Sequence, residues 1–321
     1  MTTSSAAPSP VTELPAGQPG AGNGAQAAPA PRRRRRFDVL PYLLVTPVAL
    51  FIVGLALVPA VFTIVESFFR VDDLDPPVRF IGFGNFTRLF HSDAVMSSFA
   101  NTALYVVIGV LLSTVLGIAM AITLQGAFRG RSVVIAVLVL PWALPGVVEG
   151  ILWSGIFDPN SGLISSLQAT LHLGDGTVLI GHDRLLTIAL IELVQVWQIT
   201  PLSALLVLAA LQLIPAELYE ASAIDGASAW RTFRHVTLPL ARSGVAVAMV
   251  QALIATLNVF DQPYVLNGAA STGASATMQT YFISFQNLDF GQGYALSLLI
   301  TVVTLLVSLV VVRFVYRRVE M

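Results

Sequence analysis

What most limits the folds open to this chain is a succession of six apolar stretches, at roughly 39–69, 98–125, 132–156, 185–210, 242–266 and 293–316. Each is long enough, at about 1.5 Å per helical residue, to cross about 30 Å of hydrocarbon. In lipid the backbone must satisfy its own N–H and C=O groups, and a lone apolar stretch does so as a helix. Pro47, Pro59, Pro141, Pro145 and Pro201 fall inside the stretches. Neighbouring helices re-satisfy the freed carbonyls, so prolines bend such spans without excluding them. Only 11% of the 321 residues are charged, against about 25% in soluble domains. Together with a mean hydropathy of +0.79, this excludes a soluble enzyme, a nucleic-acid binder and a disordered scaffold. The expected fold class is all-α, a polytopic membrane protein with six transmembrane helices. Cysteine is absent, which removes disulfide frameworks, thiolate metal sites and cysteine nucleophiles.

The charges set an orientation. Residues 1–31 are Ala, Pro, Gly, Ser and Thr with almost nothing to bury, so residues 1–36 read as a disordered tail ending in an arginine anchor, Arg32 to Arg36. The tail lacks a secretory signal pattern, because the long apolar run comes only after Arg36 and shows no small-residue cleavage pattern. With the N-terminus inside, the inner segments hold 13 arginines and the outer ones 4, namely Arg70, Arg79, Arg88 and Arg184. The positive-inside rule therefore expects a multi-pass protein of the cytoplasmic membrane with both termini cytoplasmic.

The longest inner loop, about 211–241, is expected to be ordered. Pro215 suits a first helical turn, with Glu217 and Glu220 near its positive end. Asp225-Gly226 supplies a break at which Gly226 is free to take positive φ. Ser228 can cap a second helix, whose C-terminal end carries Arg231, Arg234 and His235. Leu218, Ala221 and Ser222 form a small-residue stripe at i, i+3 and i+4. Such a stripe suits a partner's groove or an interfacial helix lying on lipid, and spacing leaves both open.

This loop resembles the EAA motif of ABC-transporter permease subunits: Glu-Ala-Ala, three residues, Gly, nine residues, Ile, one residue, Leu-Pro. Here it reads Glu220-Ala221-Ser222, Gly226, Val236 and Leu238-Pro239 at the same spacing, with Ser for the second Ala and Val for Ile. Ala223 to Trp230, Ile81 to Phe86, Phe157 to Gly162 and Phe260 to Leu266 resemble the sugar-type permeases that serve maltose, other oligosaccharides and glycerol-3-phosphate. The resemblance covers about residues 37–321, which it implies are a six-span permease domain of the type I ABC importer fold. It implies that Glu217, Glu220, Ala221, Ser222, Asp225, Gly226, Leu238 and Pro239 form the loop that couples to an ATPase. It also implies a sugar importer working by alternating access, with a second permease subunit as heterodimer partner. Two cytoplasmic ATPase subunits and an extracellular solute-binding protein complete the implied complex, seated in membrane lipid.

The chain has no GxxxxGK[ST] loop to cradle nucleotide phosphates. It is therefore expected to be a non-catalytic subunit without cofactor. Polar side chains within spans are costly and default to functional candidates. Glu149, Glu192, Gln195, Gln198, Asn258, Asp261 and Tyr264 are candidates for the substrate path, with inter-helix hydrogen bonding as the other reading. Glu192, Gln195 and Gln198, at i, i+3 and i+6, are expected broadly on one helix face. The four histidines, His91, His172, His182 and His235, never pair at ligand spacing, so no metal site is expected. The alternative function, an ion-coupled secondary transporter, commonly shows internal repeats, which six spans with one specialised loop do not.

The topology is tested by single cysteines. Asp73→Cys and Ser271→Cys should label from outside in intact cells, whereas labelling of Leu218→Cys from outside contradicts the orientation.

Overall fold

The computed structural model describes residues 40–171, 180–268 and 270–317, so the expected 1–36 tail lies outside the described residues. The chain forms two units, residues 1–52 and 53–321. The described part of the first is helix α1 (Leu40–Ile52), apolar throughout. The second unit opens with a wide, π-type turn at Val53–Leu57 and helix α2 (Val58–Glu66). A two-stranded hairpin follows, β1 (Phe69–Arg70) with β2 (Arg79–Phe80), pairing Phe69 with Phe80 and Arg70 with Arg79. Next come α3 (Gly84–Phe90), α4 (Asp93–Gln125), α5 (Arg131–Ala143), α6 (Gly146–Phe157) and α7 (Leu163–Thr170). Beyond them lie α8 (Arg184–Leu211), α9 (Ala216–Ile224), α10 (Ala229–Thr232) and α11 (Leu238–Leu257). The chain continues with α12 (Asp261–Asn267), α13 (Ala276–Tyr281) and α14 (Phe290–Arg317).

Among the described residues five stretches are long and apolar enough to cross a membrane: Leu43–Glu66, Asp93–Gln125, Arg184–Leu211, Ala229–Leu257 and Phe290–Arg313. The third expected stretch, 132–156, is not one straight helix. It breaks at Leu144-Pro145, and α5 and α6 diverge by 97°, giving a sixth span only if the bent pair counts as one. Pro145 has no N–H to continue the ladder, and extended backbone is favoured before it: Leu144 sits at φ −76°, ψ 138°. The fifth expected stretch, 242–266, is also corrected. Its helix begins at Ala229 and ends at Leu257, and α12 is separate.

The loop passes into the span without a break at Pro239. One helix runs from Ala229 through a π-type turn at Phe233–Thr237 into α11. The Leu238 N–H reaches back to the Phe233 carbonyl, widening the helix just where the Pro239 ring would meet the carbonyl four residues back. Pro59 stands in the same relation to the turn at Val53–Leu57.

Helices α4, α8 and α11 form the centre of the second unit. Lipid supplies no hydrophobic drive between helices, so close backbone approach through small residues holds them together. Gly109, Ser113, Gly117 and Ala121 recur every four residues on the buried face of α4. A side-chain carbon added at Gly117 would lie 2.9 Å from Ser203 Cβ and 3.1 Å from the Ala204 nitrogen. One added at Gly244 would lie 2.9 Å from the Leu206 carbonyl oxygen. Around these contacts Val207, Leu208 and Leu211 pack against Leu124, Ala241 and Ala248.

The hairpin end is tied down by polar groups. The buried Asn85 donates to the Ser67 and Phe69 carbonyls at 2.8 and 2.7 Å. Arg88 bridges Asn85 Oδ1 to Asp289 before α14, and Arg70 pairs with Asp75 and Asp72. The Ile81–Phe86 motif is thus a turn, with Gly82 at φ +56°, leading into the start of α3, which delivers Asn85 to the hairpin carbonyls.

Gly117→Val should overpack the α4–α8 contact and cost about 1–3 kcal/mol. Gly155→Ala, with nothing within 4 Å of the added carbon, should be silent. Thermal unfolding of the detergent-extracted protein checks both, and equal melting temperatures would contradict the packing.

Candidate functional site

The 211–241 loop is ordered as a helix–turn–helix. Helix α9 closes with two backbone bonds, Gly226 N–H to the Ala223 carbonyl at 3.1 Å and Ala227 N–H to the Ser222 carbonyl at 3.0 Å. This is a Schellman closure, which needs a left-handed residue at the position after the cap. Gly226 supplies it at φ +67°, and nothing lies within 4 Å of where its side chain would be. The demand on Gly226 is therefore conformational rather than steric. Ser228 caps α10 by accepting from Arg231 N–H. Ser222 Oγ donates to the Tyr219 carbonyl and meets Thr232 Oγ1 at 3.3 Å. Ser222 thus turns back into the loop and staples α9 to α10. Glu217, Leu218, Glu220, Ala221 and Asp225 remain exposed, as do the apolar Leu213, Ile224 and Trp230, at 84%, 87% and 68%. Leu238 and Pro239 lie in the following continuous helix. Gln125 at the end of α4 reaches Tyr219 Oη at 3.4 Å, so α9 is joined to the central helices by a polar contact.

The polar residues expected on the spans separate into three places. Glu192, Gln195 and Gln198 spread over an arc of about 120° on α8, since each step of three residues falls about 60° short of a full turn. Glu192 is buried against α4 and α11, its oxygens beside Gly109, and neither has a hydrogen-bond partner among the described residues. Gln195 donates to the Ala255 carbonyl of α11 at 3.2 Å. Gln198 points to the helix break, donating to the Leu144 carbonyl at 3.5 Å.

There it joins a clamp that the sequence reading missed. Gln262 Nε2 donates one hydrogen to Glu149 Oε2 at 3.1 Å and the other to Gln198 Oε1 at 3.0 Å. Gly146 and Gly150 of α6 let α12 approach: added carbons would sit 2.8 Å from Asp261 Cβ and 2.7 Å from Val265 Cβ. Asp261 therefore packs on Gly146. The Gly146-x-x-x-Gly150 spacing was legible as a small-residue packing signal. Trp153 caps this region edge-on to Trp197.

Asn258 and Tyr264 lie elsewhere. Asn258 lines a cavity of about 330 Å³ together with Phe260, Thr280, Tyr281 and Ser297. Phe260 and Tyr264 stack with centroids 5.3 Å apart, and Tyr281 stands against both. Beside α6, in the loop carrying the Phe157–Gly162 motif, the Asp158 carboxyl is held below its ordinary range. The Ser161 N–H does most, aided by Ser161 Oγ and the Asn160 N–H.

Comparison with known proteins fits this geometry. Residues 113–320 match the family described as binding-protein-dependent transport system inner membrane component. The chain is 32% identical over 272 residues to the trehalose/maltose transport system permease protein MalF of Thermococcus litoralis, covering 84% of this chain and 92% of that one. It is 31% identical to the diacetylchitobiose uptake system permease protein NgcF of Streptomyces coelicolor, covering 88% and 84%. Among solved structures, a chain of a bacterial ABC transporter involved in the import of the acidic polysaccharide alginate has the same fold. Its TM-score is 0.75 at 21% identity, covering 87% of this chain and 96% of that one.

Gln262→Leu removes both donors and leaves Glu149 buried without a partner, which should destabilise by about 1–3 kcal/mol. Adding Glu149→Leu should recover part of that loss, because the orphaned carboxyl goes with it. Melting temperatures of the two single variants and the double variant check this, and additive losses would contradict the clamp.

Proposed function

Because this chain belongs to the family of binding-protein-dependent transport system inner membrane components, we propose that it is one of two permease subunits of an ATP-driven importer. The importer takes up a sugar or related solute by alternating access. Similarity to permeases named for trehalose/maltose and diacetylchitobiose supports an oligosaccharide. An extracellular solute-binding protein delivers it, and two cytoplasmic ATPase subunits hydrolyse the ATP.

The observation that carries the reading is the closed α9–α10 turn with apolar side chains left bare around it. Helices that lie only to connect spans have no need of a capped, glycine-terminated fold. Arg129, Arg131, Arg231, Arg234 and Arg242 cluster at the same end of the bundle, which supports a cytoplasmic position for the loop and for both termini. Residues 37–321 then form the permease domain. ATPase closure moves α9, and the Tyr219–Gln125 and Ser222–Thr232 contacts pass that movement to α4 and α11 as a rigid-body rotation. Glu217, Glu220, Ala221 and Asp225 face the ATPase, while Ser222 and Gly226 hold the shape of the loop.

Of the span candidates, we assign Asn258 and Tyr264 to the substrate path. Glu149, Gln198 and Asp261 serve the clamp at the α5–α6 bend, and Glu192 and Gln195 the packing of α4, α8 and α11. An amide and stacked aromatic rings suit a sugar, which offers hydroxyls at its rim and C–H groups on its faces.

Gly226→Val forces a β-branched residue into the left-handed region, a strain of about 1–2 kcal/mol. Membrane abundance should stay near normal, since the spans do not depend on this turn. Uptake should fall severely, with the ATPase lost from the membrane or uncoupled. Gly126→Ala, at φ −66° with open space around it, should transport normally. Uptake and ATPase co-purification at matched expression decide, and normal transport by Gly226→Val would contradict the assignment.

A further inference from the structure

Three segments converge on the cavity of about 330 Å³ at Asn258. Helix α11 stops there, with Asn258 as its C-cap at φ −106°, ψ 20°. The stop brings Asn258 and, two residues on, Phe260 to the cavity wall. Helix α13 and the wide π-type turn that follows it, Phe282–Gln286, add Thr280, Tyr281 and Phe285. Ser297 and Thr301, at i and i+4 on one face of α14, complete the argument's set of lining groups. Asn258 is exposed. An amide open at the end of a span is costly against lipid, and polar groups at this depth mark solute paths by default.

The wall has two characters. One side is aromatic: the Phe260 and Tyr281 rings lie 5.5 Å apart, and those of Tyr281 and Phe285 5.3 Å apart with a tilt of 35°. The other side is polar and rich in acceptors. Thr280 Oγ1 donates to the Ala276 carbonyl at 3.0 Å, and Thr301 Oγ1 to the Ser297 carbonyl at 2.9 Å. A hydroxyl has one hydrogen and two lone pairs, so both threonine oxygens are left as acceptors only. Asn258 Nδ2 spends a hydrogen on the Ile254 carbonyl at 2.9 Å and leaves Oδ1 as an acceptor. Among the described lining residues there is no acidic or basic side chain. The volume is at the small end of ligand pockets, about 300–1,000 Å³, and suits one sugar ring rather than a whole oligosaccharide.

We propose that this cavity is a subsite for a single neutral sugar ring, held with its C–H face on Tyr281 and Phe285 and its hydroxyls donating to Thr280, Thr301 and Asn258. The proposal rests on the carbohydrate-import reading and deepens it by naming the class of ring. A neutral pyranose brings the hydroxyl donors that this wall lacks. A uronic acid brings a carboxylate, which meets acceptor oxygens and no cation, so the subsite turns it away. Thr280, Thr301 and Tyr281 thereby become specificity residues that the sequence motifs did not single out.

The test uses the assembled transporter in lipid nanodiscs with cysteine-free partner subunits, since this chain has no cysteine of its own. Ser297→Cys and Thr301→Cys, which line the cavity, are compared with Leu305→Cys and Leu309→Cys, whose side chains are 65% and 64% exposed on the same helix outside it. A charged, water-soluble thiol reagent should modify positions 297 and 301 about tenfold faster than 305 and 309, because lipid excludes it. Whichever of maltose, trehalose or diacetylchitobiose wild-type cells take up should slow modification at 297 and 301 only. Glucose, a single neutral ring, should do the same, whereas glucuronic acid at equal concentration should not. In cells, Thr301→Val keeps the shape but removes the acceptor and should cut uptake about fivefold at matched abundance, while Thr301→Ser stays near wild type.

Uniformly slow modification overturns the subsite and shows a partner helix or lipid covering the cavity. Fast modification without protection by the transported sugar overturns it as well, as does equal protection by glucose and glucuronic acid, or normal uptake by Thr301→Val. In each of these cases wild-type uptake leaves the carbohydrate-import reading standing. If the wild type takes up none of the three sugars, that reading and the subsite fall together.

Discussion

Everything else in the second unit hangs on the backbone-to-backbone approach of α4, α8 and α11. A membrane interior rewards packing and hydrogen bonding rather than the burial of grease, and Gly109, Gly117 and Gly244 convert that rule into geometry. Where their missing side chains would be, the structure puts Thr256, Ser203 and the Leu206 carbonyl. Because α8 is held this tightly, the side chains fanning from it have fixed directions. Gln195 meets α11, and Gln198 meets the broken end of α5. The same small-residue device recurs between α6 and α12, where Gly146 and Gly150 take Asp261 and Val265. There the amide of Gln262 adds polar specificity to contact that shape alone would leave free to slide.

Much of this was legible in the sequence, for identifiable reasons. Apolar length located four of the long spans to within about five residues, since hydrocarbon thickness is a strict ruler, but missed the fifth, which begins at Ala229 rather than at 242. The break in the inner loop was legible too. Asp225-Gly226 before a capping serine admits few conformations, and the structure places Gly226 at φ +67° with both closing bonds made.

Two kinds of information were harder to read. Apolar length says nothing of direction, so 132–156 looked like one span although Pro145 turns it by 97°. Helical spacing read over too short a window also misleads. Glu192, Gln195 and Gln198 advance by threes and drift about 120° around α8, so Glu192 and Gln195 face α11 while Gln198 reaches the broken end of α5. Ser297 and Thr301, four apart on α14, stay on one face and line one cavity. Gln262 was missed because a glutamine beside an aspartate at a span end looks solvated, and its burial depends on two glycines more than a hundred residues earlier.

The functional claim turns on what covers Leu213, Ile224 and Trp230. Exposed apolar side chains of this size around a rigid turn fit a protein partner's groove, and the competing surface is the lipid interface. A photo-activatable benzophenone amino acid at Ile224, which is 87% exposed, distinguishes the two in membranes of cells expressing the whole transporter. An adduct with the ATPase subunit is expected, lost when that subunit is absent. An adduct with lipid alone while the ATPase is present would contradict it.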